Sequence, residues 1–229
     1  SRGLGDVYKR QGYNYNKMRE YSMTVGGLRN VYGGKAEVTL PTGYNMALKD
    51  MPPVGNVLPA GTPFGCDDFA KTAQPHYAFA VNAVVETTAT QVQVKKDFEG
   101  TRARVGMVLM HLPNDVTDLD YTGTGVTVTA IDDSNADYDV LTLSAAVGAL
   151  AVDDILVEAS AVGSGATIKV IPTATSFADI PCYGDEQTQL VDLVHICNVI
   201  YARRCAPVHP MIRNYMNTHG YFVRFYDGL

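Results

Sequence analysis

The sequence predicts a mainly β protein with an extended N-terminal arm, β-barrel or β-sandwich modules, and one short C-terminal helix. Three observations predict it. Between residues 77 and 171 short apolar, β-branched runs recur, separated by polar or glycine-rich turns. Residues 18–53 are rich in Tyr and Gly and carry too few aliphatic residues for a core of their own. Helical spacing with both a start and a stop signal occurs at Pro210–Gly220. A chain of 229 residues can bury a real core as one large β domain or two small ones.

Taken in order, residues 1–17 are expected to be a non-native flank. Asp6-Val-Tyr-Lys-Arg-Gln11 resembles translated adapter or vector sequence, which puts the native start at Met18. Residues 18–53 read as the arm. Glu20-Tyr-Ser-Met-Thr-Val25 alternates as a strand does, Gly26-Gly27 and Gly33-Gly34 break the pattern, and Lys35-Ala-Glu-Val-Thr-Leu40 forms a second short strand. Met46 to Met51 then runs into Pro52-Pro53. Tyr13, Tyr15, Tyr21, Tyr32 and Tyr44 punctuate the segment. Tyrosine offers a large amphipathic contact area at low entropic cost, so the arm is expected to dock on another chain. The alternative is that these rings cap the protein's own sheet. A nucleotide-binding loop fails on chemistry: Gly34-Lys35 is followed by Ala36, which has no hydroxyl for a metal, and Arg29 stands where the first loop glycine belongs.

Val54-Gly-Asn-Val-Leu-Pro-Ala-Gly-Thr-Pro-Phe-Gly65 is the joint between arm and body. Val57-Leu58 is a strand, Pro59-Ala60-Gly61 a tight turn, and Thr62-Pro63-Phe64 a second extended piece. The strands expected next are 79–85, 91–95, 105–110, 126–131, 140–143, 155–157 and 167–171. Val92/Val94 alternate with Gln91/Gln93, and Val126/Val128 with Thr127/Thr129, giving one dry and one wet face. The pattern of 91–94 then 105–110 is echoed by 141–144 then 152–157, as an internal repeat or as ordinary β grammar. Beyond a loop at Asp179–Gly184 come strand candidates at 190–196 and 199–201. A helix over 210–220 follows, with Ile212, Tyr215, Met216 and His219 on one side, and then a strand at 221–226.

Composition narrows the function classes. Net charge is −6, with no stripe of Lys/Arg and interleaved aromatics, so nucleic acid is not an expected partner. No apolar run approaches the roughly 20 residues a membrane helix needs. Charged residues make up only 18% of the chain, a composition common where surface is buried against partners. Cys66, Cys182, Cys197 and Cys205 have no tight pairing and suggest free thiols from a reducing place of synthesis.

Catalytic and metal chemistry finds little purchase. Asp132, Asp133, Asn135, Asp137 and Asp139 supply hard oxygens at alternate positions, as calcium would require. Tyr138 stands at the sharp-turn place where glycine is needed and no bidentate Glu follows, so a solvated hairpin loop is the better reading. His195, Cys197, Cys205 and His209 are the Cys/His cluster. The first pair would share a strand face, Pro207 disrupts a helical face for the second, and buried structural residues fit better than zinc. No thiol-protease motif surrounds any cysteine, and no distinctive facing carboxylate pair suggests a glycosidase. The expectation is a protein that is not an enzyme and that uses no cofactor or metal.

Four phrases resemble the tailed-bacteriophage head fiber and capsid decoration proteins. They are Met23-Thr-Val-Gly-Gly-Leu-Arg-Asn-Val-Tyr32, Asn45-Met-Ala-Leu-Lys-Asp-Met-Pro-Pro-Val-Gly55, Val57-Leu-Pro-Ala-Gly-Thr-Pro63 and Val199-Ile-Tyr-Ala-Arg-Arg-Cys-Ala-Pro-Val208. The resemblance spans most of residues 18–229, with no counterpart for Cys205 or the loop around Cys66. It implies a non-catalytic virion protein, made in the bacterial host cytoplasm, that binds the outside of the capsid shell through the major capsid protein, often as a homotrimer. It also implies an arrangement: residues 54–75 plus 172–229 as a decoration-type module, 76–171 as an inserted β module displayed outward, and 18–53 as the arm. The arm's partner contacts would be Tyr21, Arg29, Tyr32, Tyr44, Met46, Leu48 and Met51. Two other classes stay open: a carbohydrate- or host-surface-binding β module of a phage fiber, with a surface glycan as partner, and a phage-borne hydrolase.

Overall fold

Alternation in the sequence becomes alternation of burial in the computed structural model, which describes residues 31–33, 36–40, 43–96, 100, 102–182, 188–219 and 223–227. The fold is mainly β, with curled sheets and one short C-terminal helix. In chain order the strands are β1 (Ala36–Thr39), β2 (Tyr44–Ala47), β3 (Val57–Leu58), β4 (Pro63–Asp67), β5 (Thr72–Pro75), β6 (Ala78–Ala80), β7 (Gln91–Lys95) and β8 (Val108–Leu112). They continue as β9 (Gly123–Asp132), β10 (Tyr138–Leu143), β11 (Ile155–Glu158), β12 (Gly163–Ala166), β13 (Ala174–Ser176), β14 (Ile180–Pro181), β15 (Thr188–Val191) and β16 (Leu193–Tyr201). Helix α1 (Pro210–Thr218) and β17 (Val223–Tyr226) close the described chain.

Among the described residues two large sheets form. An eight-stranded sheet runs β1-β16-β13-β4-β5-β2-β15, with β17 paired to β16. A seven-stranded sheet runs β6-β11-β8-β9-β10-β7, with β12 paired to β9. The second sheet is drawn wholly from within residues 76–171, and the first from the segments on either side of it. The two sheets nevertheless share a core. Tyr44, Met46 and Phe64 of the first belong to one buried cluster with Phe79, Val92, Leu109, Val128 and Leu141 of the second, and Leu58 of the separate β3–β14 pair joins it. Val31–Leu229 accordingly form one unit. The sheet boundary is thus not a boundary between cores, because short strands of this kind cannot each bury two faces within their own sheet.

The period-two reading holds in detail. Val92, Val94, Val126 and Val128 are buried, while Gln91 and Thr129 are exposed. The echoed strand pairs are spatial partners: β7 lies against β10 with Gln93 opposite Val140, and β8 against β11 with Leu109 opposite Glu158. Several expected strands shift, 79–85 among them, which keeps only β6 at Ala78–Ala80. The run at 167–171 is replaced by β12 at Gly163–Ala166, with Ile168 held by a single bridge to Ala159. The candidates at 190–196 and 199–201 resolve into β15 and one continuous β16.

The described part of the arm corrects the expectation. β1 pairs antiparallel with β16, and β2 lies between β15 and β5, so Ala36–Thr39 and Tyr44–Ala47 are sheet strands. Residues 18–30 lie outside the described residues. Aliphatic content had argued against a core here. The core is supplied instead by the rest of the chain, and Tyr44 and Met46 are the arm's contribution to it.

The joint at 57–64 is buried throughout. Thr62 N and Oγ1 both donate to Pro59 O, at 3.2 and 2.6 Å, closing the turn, and β3 pairs with β14. Gly61 has φ +80°. Its Cα faces Cys205 and Val31 so closely that a Cβ would lie 2.6 Å from Cys205 Sγ and 2.8 Å from Val31 Cγ1. Glycine is required here by both conformation and space.

Helix α1 starts as proposed. Pro210 occupies the first turn, and His209 caps it by accepting a hydrogen bond from Met211 N through Nδ1 at 3.2 Å. Its buried residues are Met211, Ile212 and Met216; Tyr215 is half-buried, and His219 is exposed beneath it. The helix links β16 to β17, which run parallel, because parallel neighbours need a crossover.

Candidate functional site

The side chains expected to meet a partner are largely committed to this chain's own interior. Tyr32, Tyr44, Met46 and Met51 are buried, and Leu48 is half-buried against the same core. Tyr32 donates through its hydroxyl to Ser176 O and stacks on Phe177 with centroids 6.1 Å apart. Tyr44 donates to Asp68, with Lys71 Nζ 5.5 Å from its ring centroid. The partner-contact assignment is therefore corrected for Tyr32, Tyr44, Met46 and Met51, whose side chains are buried in the chain's own core, while Leu48 keeps part of its surface open. Tyr21 and Arg29 lie outside the described residues.

Cation chemistry at 132–139 is answered by a side chain from elsewhere. Lys96 Nζ donates to the carbonyls of Asp133 and Asn135 at 2.7 and 2.8 Å and pairs with buried Asp139 at 2.9 Å. An ammonium thus occupies the position among the loop oxygens that a calcium ion would need. Asp132 and Asn135 turn their side chains onto the backbone N–H groups of Ser134 and Asp137. The Cys/His residues do not converge either. His209 is the helix cap, Cys197 is buried in β16, and among the described residues no three His, Cys, Asp or Glu groups are placed to hold a metal. All four cysteines are free thiols. Burial pushes the Cys66 thiol up to about 11, so it carries little thiolate at neutral pH and is a poor nucleophile.

A charged cluster fastens the segment after β2 to the second sheet. Lys169 Nζ lies 2.8 Å from Glu158 Oε1 and 3.7 Å from Asp50 Oδ1, and Arg104 approaches Glu158 at 3.5 Å. Arg104 also donates to Met51 O at 2.7 Å and stacks over Tyr77, whose hydroxyl donates to Asp50 O at 2.7 Å. Burial raises the Tyr77 phenol well above its ordinary range, keeping it a donor. Glu158 is held by both cations, whereas Asp50 meets Lys169 only at 3.7 Å through Oδ1 and keeps a buried Oδ2 without a hydrogen-bond partner, which makes the cluster a clasp between the two segments.

An open site lies beside β16 and β17. A groove of about 350 Å³ is lined by Val199, Arg213, Asn214 and Asn217, and by Arg224, Phe225 and Tyr226 of β17. Arg213 and Asn217 are four residues apart on α1 and therefore neighbours on one helical face. Arg213 is fixed from three sides: Nε donates to Val208 O at 3.0 Å, Nη1 meets Asp227 at 2.8 Å, and the guanidinium lies 5.6 Å from the Phe225 centroid. Arg224, Asn214 and Asn217 are exposed. Tyr226 is 54% exposed and meets Tyr201 edge-on at 6.4 Å, and Arg204 in turn covers the Tyr201 ring at 4.7 Å. The result is a fixed arginine, a second arginine, two amides and an aromatic surface around one concavity, an arrangement suited to binding.

A second exposed feature is the β4–β5 turn. Asp67 Oδ1 accepts from the N–H groups of Phe69 and Ala70, both at 2.9 Å, and Phe69 is fully exposed at the tip. The sequence reading missed both the groove and this ring. The groove had a faint signal in the alternation of Arg224 and Tyr226 and in the polar face of α1, whereas Phe69 inside Asp67-Asp-Phe-Ala-Lys71 had none.

No family model, curated protein or solved structure matches the chain.

Proposed function

We propose that the chain is a structural protein of a tailed-bacteriophage virion, of the head-fiber or capsid-decoration type. It would bind the outside of the shell through the major capsid protein, as a homotrimer, without a catalytic role. The observation that carries this reading is the convergence of three of the phrases in which the resemblance resides. Gly61 of the 57–63 phrase faces Val31 of the first phrase. Tyr32 bridges Ile200, and Tyr201 N donates to Val31 O at 2.9 Å. Phrases far apart in the sequence meet in one buried joint, as the framework of a fold would. Further support comes from Phe69, a fully exposed ring on a turn whose backbone Asp67 ties, which offers an apolar anchor for a partner surface. Among the described residues no helix is long and apolar enough to cross a membrane.

The test is co-sedimentation of the purified protein with undecorated shells of the phage that encodes it. Saturable pelleting is expected, weakened by Phe69→Ser; protein that stays in the supernatant at all shell concentrations sinks the reading. Removing residues 18–53 would not test the arm cleanly, because it takes β1 and β2 out of the sheet. Removing residues 1–30 spares every described element. A second reading, a carbohydrate- or host-surface-binding module of a phage fiber, is favoured by the arginine- and tyrosine-lined groove.

A further inference from the structure

We infer that the groove between α1 and β17 is a binding site for an acidic saccharide. The protein carries a net charge of −6, yet this concavity is lined by two arginines, with a third, Arg204, on the adjoining Tyr201 ring. Arg213 is pre-organised: its contacts to Val208 O, Asp227 and the Phe225 face hold the guanidinium plane before any ligand arrives. Asp227 offsets one positive charge, so the surplus rests on Arg224, which is exposed and has no ion pair among the described residues. A guanidinium favours planar, bidentate acceptors, which selects a carboxylate on the ligand.

The remaining lining selects what carries that carboxylate. The side-chain amides of Asn214 and Asn217 each offer both donors and acceptors, matching vicinal hydroxyl groups, which also do both. Tyr226 supplies a half-exposed ring held edge-on by Tyr201, a flat apolar surface for the C–H face of a pyranose. A volume of about 350 Å³ suits one or two sugar units and is too open for an enclosed apolar ligand. The site needs no metal and no covalent step. This inference deepens the surface-binding reading and rests on it only for the source of the saccharide, an acidic polymer on a cell surface.

The experiment is a titration of the whole protein with 3′-sialyllactose and with tri-galacturonate, using lactose as the neutral control, followed by NMR and by calorimetry. At least one acidic sugar is expected to bind saturably, about tenfold or more tighter than lactose, with shifts at Asn214, Asn217 and Tyr226. Arg224→Ala and Tyr226→Ala are each expected to weaken binding by about fivefold or more, with the native fold kept in both and the melting temperature unchanged in Arg224→Ala, whose side chain is exposed. Three results would each overturn the inference: no saturable binding of either acidic sugar, equal binding of lactose, or affinity unchanged in both variants. Co-sedimentation with shells, run on the same samples, separates this outcome from the fate of the shell-binding reading. Parent protein that pellets with shells but binds no acidic sugar overturns the saccharide site alone.

Discussion

Replacing Gly61 by alanine probes the joint on which the fold turns. The residue sits at φ +80°, where a Cβ costs about 1–2 kcal/mol. The added carbon would also lie 2.6 Å from Cys205 Sγ and 2.8 Å from Val31 Cγ1, well inside van der Waals contact. Forcing a methyl group into a packed interior adds about 1–3 kcal/mol. The expected loss is therefore about 2–5 kcal/mol, a large share of the about 5–15 kcal/mol that stabilises a typical domain. Gly55→Ala is the matched control, because Gly55 has φ +91° with nothing within 4 Å of its added Cβ. It isolates the backbone cost, about 1–2 kcal/mol. Urea unfolding followed by tyrosine fluorescence and far-ultraviolet dichroism measures both. Cys205→Ala should recover part of the loss in the Gly61→Ala background, since it removes the nearer of the two obstructing atoms. Equal losses for Gly61→Ala and Gly55→Ala would refute the reasoning, because the contact between the 57–63 turn and the 199–208 segment would then contribute nothing.

Other consequences are as direct. Burial holds His76 neutral, with its pKa lowered to about 4 from 6.5, and also lowers His111 and His209. Between about pH 7 and 8 stability should be flat; below that window it should fall as the unfolded chain's histidines take up protons, and above about pH 9 it should fall as the unfolded chain's Cys66 ionises first. His76 contributes a total loss of about 3 kcal/mol by pH 4, read by urea midpoints from about pH 7 down to pH 4; a flat profile there would contradict it. Glu158→Ala leaves Lys169 and Arg104 facing a buried gap and should cost about 3 kcal/mol in the same assay, whereas a loss below about 1 kcal/mol would dissolve the clasp. Because Lys96 fills the 132–139 loop, millimolar calcium should leave the parent's melting temperature unchanged; a calcium-dependent rise would restore the ion site. Phe69→Ser should leave the melting temperature unchanged, since the ring touches solvent on every side, and a drop would show that it packs.

Much of the fold was legible because its signals are local. Val92 and Val94 alternate with glutamine, Pro210 starts a helix whose Ile212 and Met216 pack, and Pro59-Ala60-Gly61 spells a turn. The arm was misread because its partner strands are distant: β2 pairs with β15, more than a hundred residues on, a pairing no window of neighbouring residues contains. Tyr44 and Met46 looked short of a core only because Phe64, Phe79 and Leu109 are remote in sequence. The lysine within the acidic loop was hidden for the same reason, since Lys96 lies ahead of β8 and the loop lies after β9. The groove joins a helix to a strand beyond it, and neither is unusual alone; its chemistry exists only once Arg213 and Arg224 are brought to one rim.

Cryo-electron microscopy of virus particles purified from the source that expresses this chain tests the central proposal most directly. The account predicts density for the two-sheet body on the outer face of the shell, in threefold groups, with the β4–β5 turn and Phe69 against the major capsid protein. Particles whose shells carry no such density, while the protein is abundant elsewhere in the infected cell, would contradict it.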